Sequence, residues 1–184
     1  MKLLSIQVGR PRQVKWRRMT VTTGIYKESV AGRIMLRRNN LEGDEQADLS
    51  VHGGWDKAVY VYPSEHYSFW RKELPGTSMP YGAFGENFTT EGLDESSICI
   101  GDRFRIGDSV VEVTQPRMPC YKLGVRFGRP DIPQRFHASG RSGFYLAVRK
   151  EGAVGAGDIW ERLSQEKDAI SVLQCYRSLF QKGV

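Results

Sequence analysis

The chain has 184 residues, 40% hydrophobic and 26% charged, with 27 Lys and Arg against 21 Asp and Glu, a balance of +6. That length makes one main domain at roughly 150 residues per domain, able to bury a core without disulfides or metals. Four Trp, eight Tyr and eight Phe spread along the chain exclude long disorder, and no stretch approaches the ~20 apolar residues of a membrane span.

Short β-like runs dominate. Lys2 to Val8 and Val59 to Tyr62 are apolar and aromatic; Phe104 to Ile106, Val110 to Thr114 and Phe144 to Val148 add three more. Gly-Asp recurs at Gly101-Asp102, Gly107-Asp108 and Gly157-Asp158, a tight-turn dipeptide in such a context. A first helix opens at Pro63-Ser64-Glu65, with Ser64 as cap, Glu65 in the first turn, Arg71 and Lys72 in the last, and Tyr67, Trp70 and Leu74 as its apolar stripe. A second follows Pro119 and a third runs from about Ile132 to His137. The last spans Ala169 to Gln181, with Val172, Leu173, Tyr176, Leu179 and Phe180 on one side. The pattern predicts an α+β fold, predominantly β: a twisted β-barrel core over residues 1–165 with peripheral helices, then a short helical appendage over 166–184.

The positive balance favours an anionic partner: phosphate on a small molecule, nucleic acid or anionic lipid. Three cysteines, Cys99, Cys120 and Cys175, form no CxxC pair, so neither a disulfide framework nor a cysteine-rich zinc site is indicated. Unpaired thiols, and an apolar run after Met1 too short for a signal peptide, point to the cytoplasm.

Three clusters could carry chemistry. In the first, Glu42, Asp44, Glu45 and Asp48 precede His52, Gly53, Gly54, Asp56 and Lys57. It reads as a loop whose backbone approaches a ligand, with His52 and Lys57 as donors, or as a turn with solvated acids. In the second, Gly85-Glu86-Asn87, the Asn87 amide suits a heterocycle or its own turn. In the third, Gln115-Pro116-Arg117-Met118-Pro119-Cys120-Tyr121-Lys122, Cys120 stands where a helix begins, between Arg117 and Lys122. That setting lowers a thiol pKa and suits a nucleophile or a soft metal ligand. Cys99 and Cys175 read as inert. Arg33, Arg37 and Arg38 precede the first cluster, and Arg10, Arg12, Lys15, Arg17 and Arg18 read as solvated charge.

Taken in order, Leu41-Glu42-Gly43-Asp44, Val51-His52-Gly53-Gly54, Gly85-Glu86-Asn87, Gly101-Asp102 and Gln115-Pro116-Arg117-x-Pro119-Cys120-Tyr121-Lys122-Leu123 resemble the MOSC domain, the C-terminal domain of molybdenum cofactor sulfurases, and in particular its stand-alone YiiM-type members. The resemblance covers roughly residues 30 to 165. It implies a twisted barrel, a molybdenum cofactor held through the Cys120 thiolate, and reduction of N-hydroxylated compounds such as N-hydroxylaminopurines to amines, a detoxifying role. It brings pyridoxal phosphate binding as a further family association. Cys120, His52 and Lys57 are then the catalytic candidates, with Cys120 the metal ligand. Arg117, Asn87, Gly53, Gly54, Glu86, Lys122, Arg33 and Arg37 are the cofactor-binding ones. No flavin, iron–sulfur or haem motif is present, so a separate electron-donor protein is implied, with a small N-hydroxylated substrate and a possible homodimer, and without membrane or specific nucleic acid. The alternatives are a carrier of the cofactor or its sulfur without turnover, and a basic RNA-binding barrel.

Overall fold

The computed structural model describes residues 1–45, 54–165 and 168–181. β1 (Lys2–Val8) opens the chain, followed by a hairpin of β2 (Arg12–Trp16) and β3 (Met19–Thr23), then β4 (Glu28–Ser29) and β5 (Arg33–Leu36). A single 3-10 turn over Trp55–Lys57 leads into β6 (Val59–Pro63), α1 (Glu65–Glu73) and β7 (Phe88–Glu91). β8 (Arg103–Ile106) and β9 (Ser109–Pro116) precede α2 (Tyr121–Phe127) and α3 (Ile132–Ser139); β10 (Phe144–Lys150), β11 (Gly152–Gly155), β12 (Trp160–Ser164) and α4 (Val172–Gln181) complete the order.

Eight strands form one sheet in the order β12-β8-β9-β10-β6-β7-β1-β4. Only its β6–β7 pair, Val61 opposite Phe88, is parallel. The sheet curls on itself: the Leu3 N–H reaches the Asp158 carbonyl at 2.9 Å, and the Gly157 N–H reaches the Leu3 carbonyl at 2.7 Å. The first strand therefore meets the chain just before the last, as a barrel requires. All three Gly-Asp turns hold their glycine at positive φ. At Gly107 this lets β8 fold directly back onto β9, Ile106 opposite Ser109.

β6 shows why the fold has two cores. Its period-2 alternation sends Val59 and Val61 into the barrel, among Phe88, Phe104, Phe144 and Trp160. Tyr60 and Tyr62 face outward, yet they too are buried, under Trp70, Phe84, Leu123 and Phe136. The helices α1, α2 and α3 thus cover one outer face of the sheet.

Four of the five expected strands are longer than predicted, because ladder pairing extends through their polar ends; β9 continues to Pro116. The apolar stripe of α1 is as expected, but Ser64 does not cap it. Its backbone is already helical at φ −64° and ψ −25°, its N–H is held by the Thr90 carbonyl at 2.7 Å, and its Oγ meets Glu65 instead. The last helix is docked on the barrel. Val172 is fully buried, and the N–H groups of Val172 and Leu173 donate to the carbonyls of Ile98 and Glu95.

Candidate functional site

Beside Tyr60 and Tyr145, the sheet and the helix layer leave a cavity of about 100 Å³ that opens to solvent. Thr23, Gly24, Ile25 and Lys27, with Asp44 paired to Lys27, form one wall; Lys57, Arg117, Cys120 and Lys122 form another, with Glu45, Gly85 and Asn87 between them.

Cys120 enters at the junction of β9 and α2. Pro116 ends the strand, and the Arg117 N–H donates to the Gly143 carbonyl at 3.2 Å. Cys120 remains extended, at φ −128° and ψ 166°, and the first turn of α2 follows it. Gly143 fixes this bend. It stands at φ +64°, and a Cβ there would lie 2.3 Å from the Val61 carbonyl and 2.8 Å from the Tyr60 ring.

Arg117 is the buried cation of the wall that carries Cys120. It is only 6% exposed. Its guanidinium lies 5.0 Å from the Tyr60 ring centre and 5.2 Å from that of Phe136. Among the described residues no carboxylate pairs with it, and its Nη1 has no hydrogen-bond partner. Burial works against its charge, but the fields of Tyr60, Tyr145 and Cys120 leave its pKa above the ordinary arginine value. Burial likewise raises the pKa of Tyr60 and Tyr145, although Arg117 pulls both the other way. A permanent cation is therefore held out of water with an unused donor, beside a thiol. Burying a charge in that state costs free energy unless a ligand completes it.

Lys27 and Asp44 close the opposite wall as a buried ion pair. Burial pulls the Lys27 pKa below its ordinary value, against the raising effect of Asp44. Asp44 also accepts from the Gly9 N–H at 2.7 Å and from Asn87 Nδ2 at 2.9 Å. With Asp44 matched by Lys27, and Glu45 3.4 Å from Arg10, the charges of Lys57, Arg117 and Lys122 dominate the cavity. The donor set suits an anion.

The structure brings Cys120, Arg117, Lys57, Lys122 and Asn87 together on this cavity. Lys57 is held because Thr114 Oγ1 donates to the Asp56 carbonyl at 2.6 Å and Gln115 Nε2 to the Asp56 carboxylate at 2.8 Å. Gly54 is an exposed turn residue at φ 98°, just before it. His52 and Gly53 lie outside the described residues.

Asn87 faces inward as well as lining the wall. Its Oδ1 accepts from the Tyr60 N–H at 3.1 Å, and its Nδ2 donates to the Gln7 carbonyl and to Asp44. That amide binds the two walls together rather than reading a heterocycle's edge. Glu86 is fully buried and away from the cavity. It accepts from Tyr67, Thr89 and the N–H groups of Gly82 and Phe84, shaping the loop that precedes β7; burial raises its pKa despite those donors. Arg33 and Arg37 also lie elsewhere, along the β5–β11 pair. Arg33 bonds Asp158 at 3.0 Å and the Ala153 carbonyl at 2.6 Å, and Arg37 faces Glu151 at 3.6 Å.

Sequence reasoning missed Lys27, Tyr60 and Tyr145. Nothing local marks Lys27. The tyrosines were legible only as strand residues, though their alternation with Val59, Val61 and Leu146 assigns them to the face opposite the barrel core.

Among the described residues, no three His, Cys, Asp or Glu side chains come together as a metal cage, and no helix is long and apolar enough to cross a membrane. The profile of the MOSC domain matches residues 48–161. The chain is 45% identical over 170 residues to the uncharacterized protein YflK of Bacillus subtilis, covering 92% of this chain and 76% of that protein. It is 37% identical over 167 residues to a protein of Gibberella moniliformis named a reductase, covering 89% of this chain and 30% of that one. Among solved structures, YiiM from Geobacillus stearothermophilus superposes with a TM-score of 0.81 at 32% identity, over 98% of this chain and 84% of that one.

Proposed function

The chain belongs to the MOSC domain family, and from that membership we propose that it is a molybdenum-cofactor-dependent reductase of N-hydroxylated compounds. The observation that carries the reading is the pairing of Cys120 with buried Arg117, whose Nη1 has no hydrogen-bond partner among the described residues, on one open, basic cavity. The cavity fits the group on its donor chemistry. A single thiol suits a metal that arrives with sulfur ligands of its own, and thiolate is the softest protein ligand. The spare Arg117 donor and the lysines suit a pterin phosphate, because charge-assisted hydrogen bonds to phosphate are strong. The reductase named in Gibberella moniliformis supports an oxidoreductase role.

The overall change is R–NHOH + 2 e⁻ + 2 H⁺ → R–NH₂ + H₂O. When bound, the cofactor supplies the two-electron chemistry at the nitrogen–oxygen bond. The protein's part is placement, charge and protons. Cys120 would hold the metal, and Arg117 would offset the negative charge of the bound group in a setting where water cannot screen it. Tyr60, Tyr145 and Ile25 would exclude water from one side. Lys57, placed at the wall by Asp56, is proposed to deliver a proton to the departing hydroxyl, with His52 as the second candidate donor. The Lys27–Asp44–Asn87 knot would hold the walls at a fixed separation.

The test is reduction of an N-hydroxylated purine by protein from a cofactor-competent host, with dithionite-reduced viologen as donor. Turnover in the wild type, lost in Cys120→Ala, is the expected result. Full activity in Cys120→Ala would overturn the assignment. Molybdenum bound without any turnover would instead identify a cofactor carrier.

A further inference from the structure

The charge of this chain is concentrated. Residues 10–23 hold five of the 27 Lys and Arg and none of the 21 Asp and Glu, so without them the balance drops from +6 to +1. These residues are the β2–β3 hairpin and the two residues leading into it. The hairpin is a sheet of its own, paired with no other strand among the described residues. Val21 is buried, while Gln13, Lys15, Thr20 and Thr22 on the opposite face are exposed.

The tip is unusual. Trp16 pairs with Met19, which leaves Arg17 and Arg18 as a two-residue turn. Arg17 stands at φ 53°, the left-handed region where such turns ordinarily take Gly, Asn or Asp. A local rule broken in favour of a cation points to a use for the cation. Arg10 is matched by Glu45 and Arg12 lies 3.7 Å over the Tyr26 ring. Among the described residues, Lys15, Arg17 and Arg18 face no carboxylate. At its other end β3 runs into Thr23, Gly24 and Ile25, which are cavity wall. Whatever docks on this arm stands beside the cavity.

We propose that the β2–β3 hairpin is the docking surface for an acidic one-electron-carrier protein that reduces the group held in the cavity. The inference rests on the reductase reading above. Each turnover takes two electrons, so two reduced carriers each lose one electron while the substrate N–O bond breaks and two protons are taken up. Charge steering raises the encounter rate of such transient partners, and redox encounters need less area than stable complexes. RNA or an anionic bilayer would also meet the charge, but neither accounts for an arm rooted in the cavity wall.

The test uses Lys15→Glu combined with Arg18→Glu; neither residue lines the cavity. The probe is an acidic [2Fe–2S] ferredoxin, as reductant and as titrant, at about 30 and 300 mM salt, where screening of exposed charges differs several-fold. The expected result is a loss of tenfold or more in ferredoxin-driven kcat/KM and in ferredoxin affinity, with viologen-driven reduction within twofold of wild type. Equal ferredoxin affinity in both proteins would overturn the proposal, and so would an equal loss with both donors. Absence of viologen-driven reduction in the wild type would overturn the reductase reading alone. Ferredoxin binding lost on charge reversal would then still support the hairpin. Salt-sensitive binding of RNA or phosphatidylserine vesicles, without ferredoxin binding, would overturn the choice of partner.

Discussion

Replacing Arg117 by Met separates binding from stability, because cofactor loading should be lost while stability changes little. The substitution removes an unused Nη1 donor from the interior, which is worth about 1–3 kcal/mol. Against this stand the contacts with Tyr60 and Phe136 at 5.0 and 5.2 Å, at about 0.5–2 kcal/mol each. The backbone bond from residue 117 to Gly143 is unaffected. The two sides nearly offset, so the net expectation for cofactor-free protein is a change within about 1 kcal/mol, and at this size each kcal/mol shifts Tm by roughly 2–4 °C. The assay is scanning calorimetry of wild type and Arg117→Met from a host that makes no molybdenum cofactor. A Tm within about 4 °C of wild type, with failure to load cofactor when the same variant is made in a competent host, is expected. A fall in Tm equivalent to 1 kcal/mol or more would show that the guanidinium is internally satisfied, and that its setting is structural rather than prepared for an anion.

Three further outcomes follow from buried residues that shape the cavity's surroundings. Glu86→Gln should remove a pH dependence: burial raises the Glu86 pKa, so its contribution is fully present below the unfolded value near 4.5 and falls as pH rises through the folded pKa. Urea midpoints from pH 4 to 7.5 should therefore show the wild type losing ground to the variant; a constant difference would contradict the raised pKa. Gly143→Ala should destabilise by about 2–4 kcal/mol, because a left-handed backbone and overpacking against the Val61 carbonyl add together; a change under 0.5 kcal/mol in denaturant unfolding would show that the bend relaxes freely. Asn87→Ala should cost about 2–4 kcal/mol by leaving the Tyr60 N–H, the Gln7 carbonyl and Asp44 each short of a partner. A stable Asn87→Ala protein that merely loses cofactor would instead favour direct reading of the ligand by the amide.

The sequence carried the β1, β6, β8, β9 and β10 strands because apolar residues bounded by Gly, Asp and Pro leave few other options. The β2–β3 hairpin escaped it. RQVKW and MTVTT alternate weakly, their turn is Arg-Arg rather than Asn-Gly, and the charges read as solvated surface. Cys120, Arg117 and Lys122 were legible because two prolines and flanking basic residues single them out locally, and Lys57 because it follows the Gly53-Gly54 pair. Lys27 was not, since its partner Asp44 is seventeen positions away in sequence and only the fold joins them. The Glu86 and Arg33 assignments show the converse. A polar residue next to a cavity-lining one can point the opposite way, and an arginine near a Gly-rich loop in sequence can belong to another sheet edge.

The most direct measurement is the molybdenum content of purified wild-type protein and Cys120→Ala from the same cofactor-competent host. Near-stoichiometric metal in the wild type and its loss in the variant is the predicted result. Equal molybdenum in both would contradict ligation through Cys120, and none in either would contradict the cofactor itself.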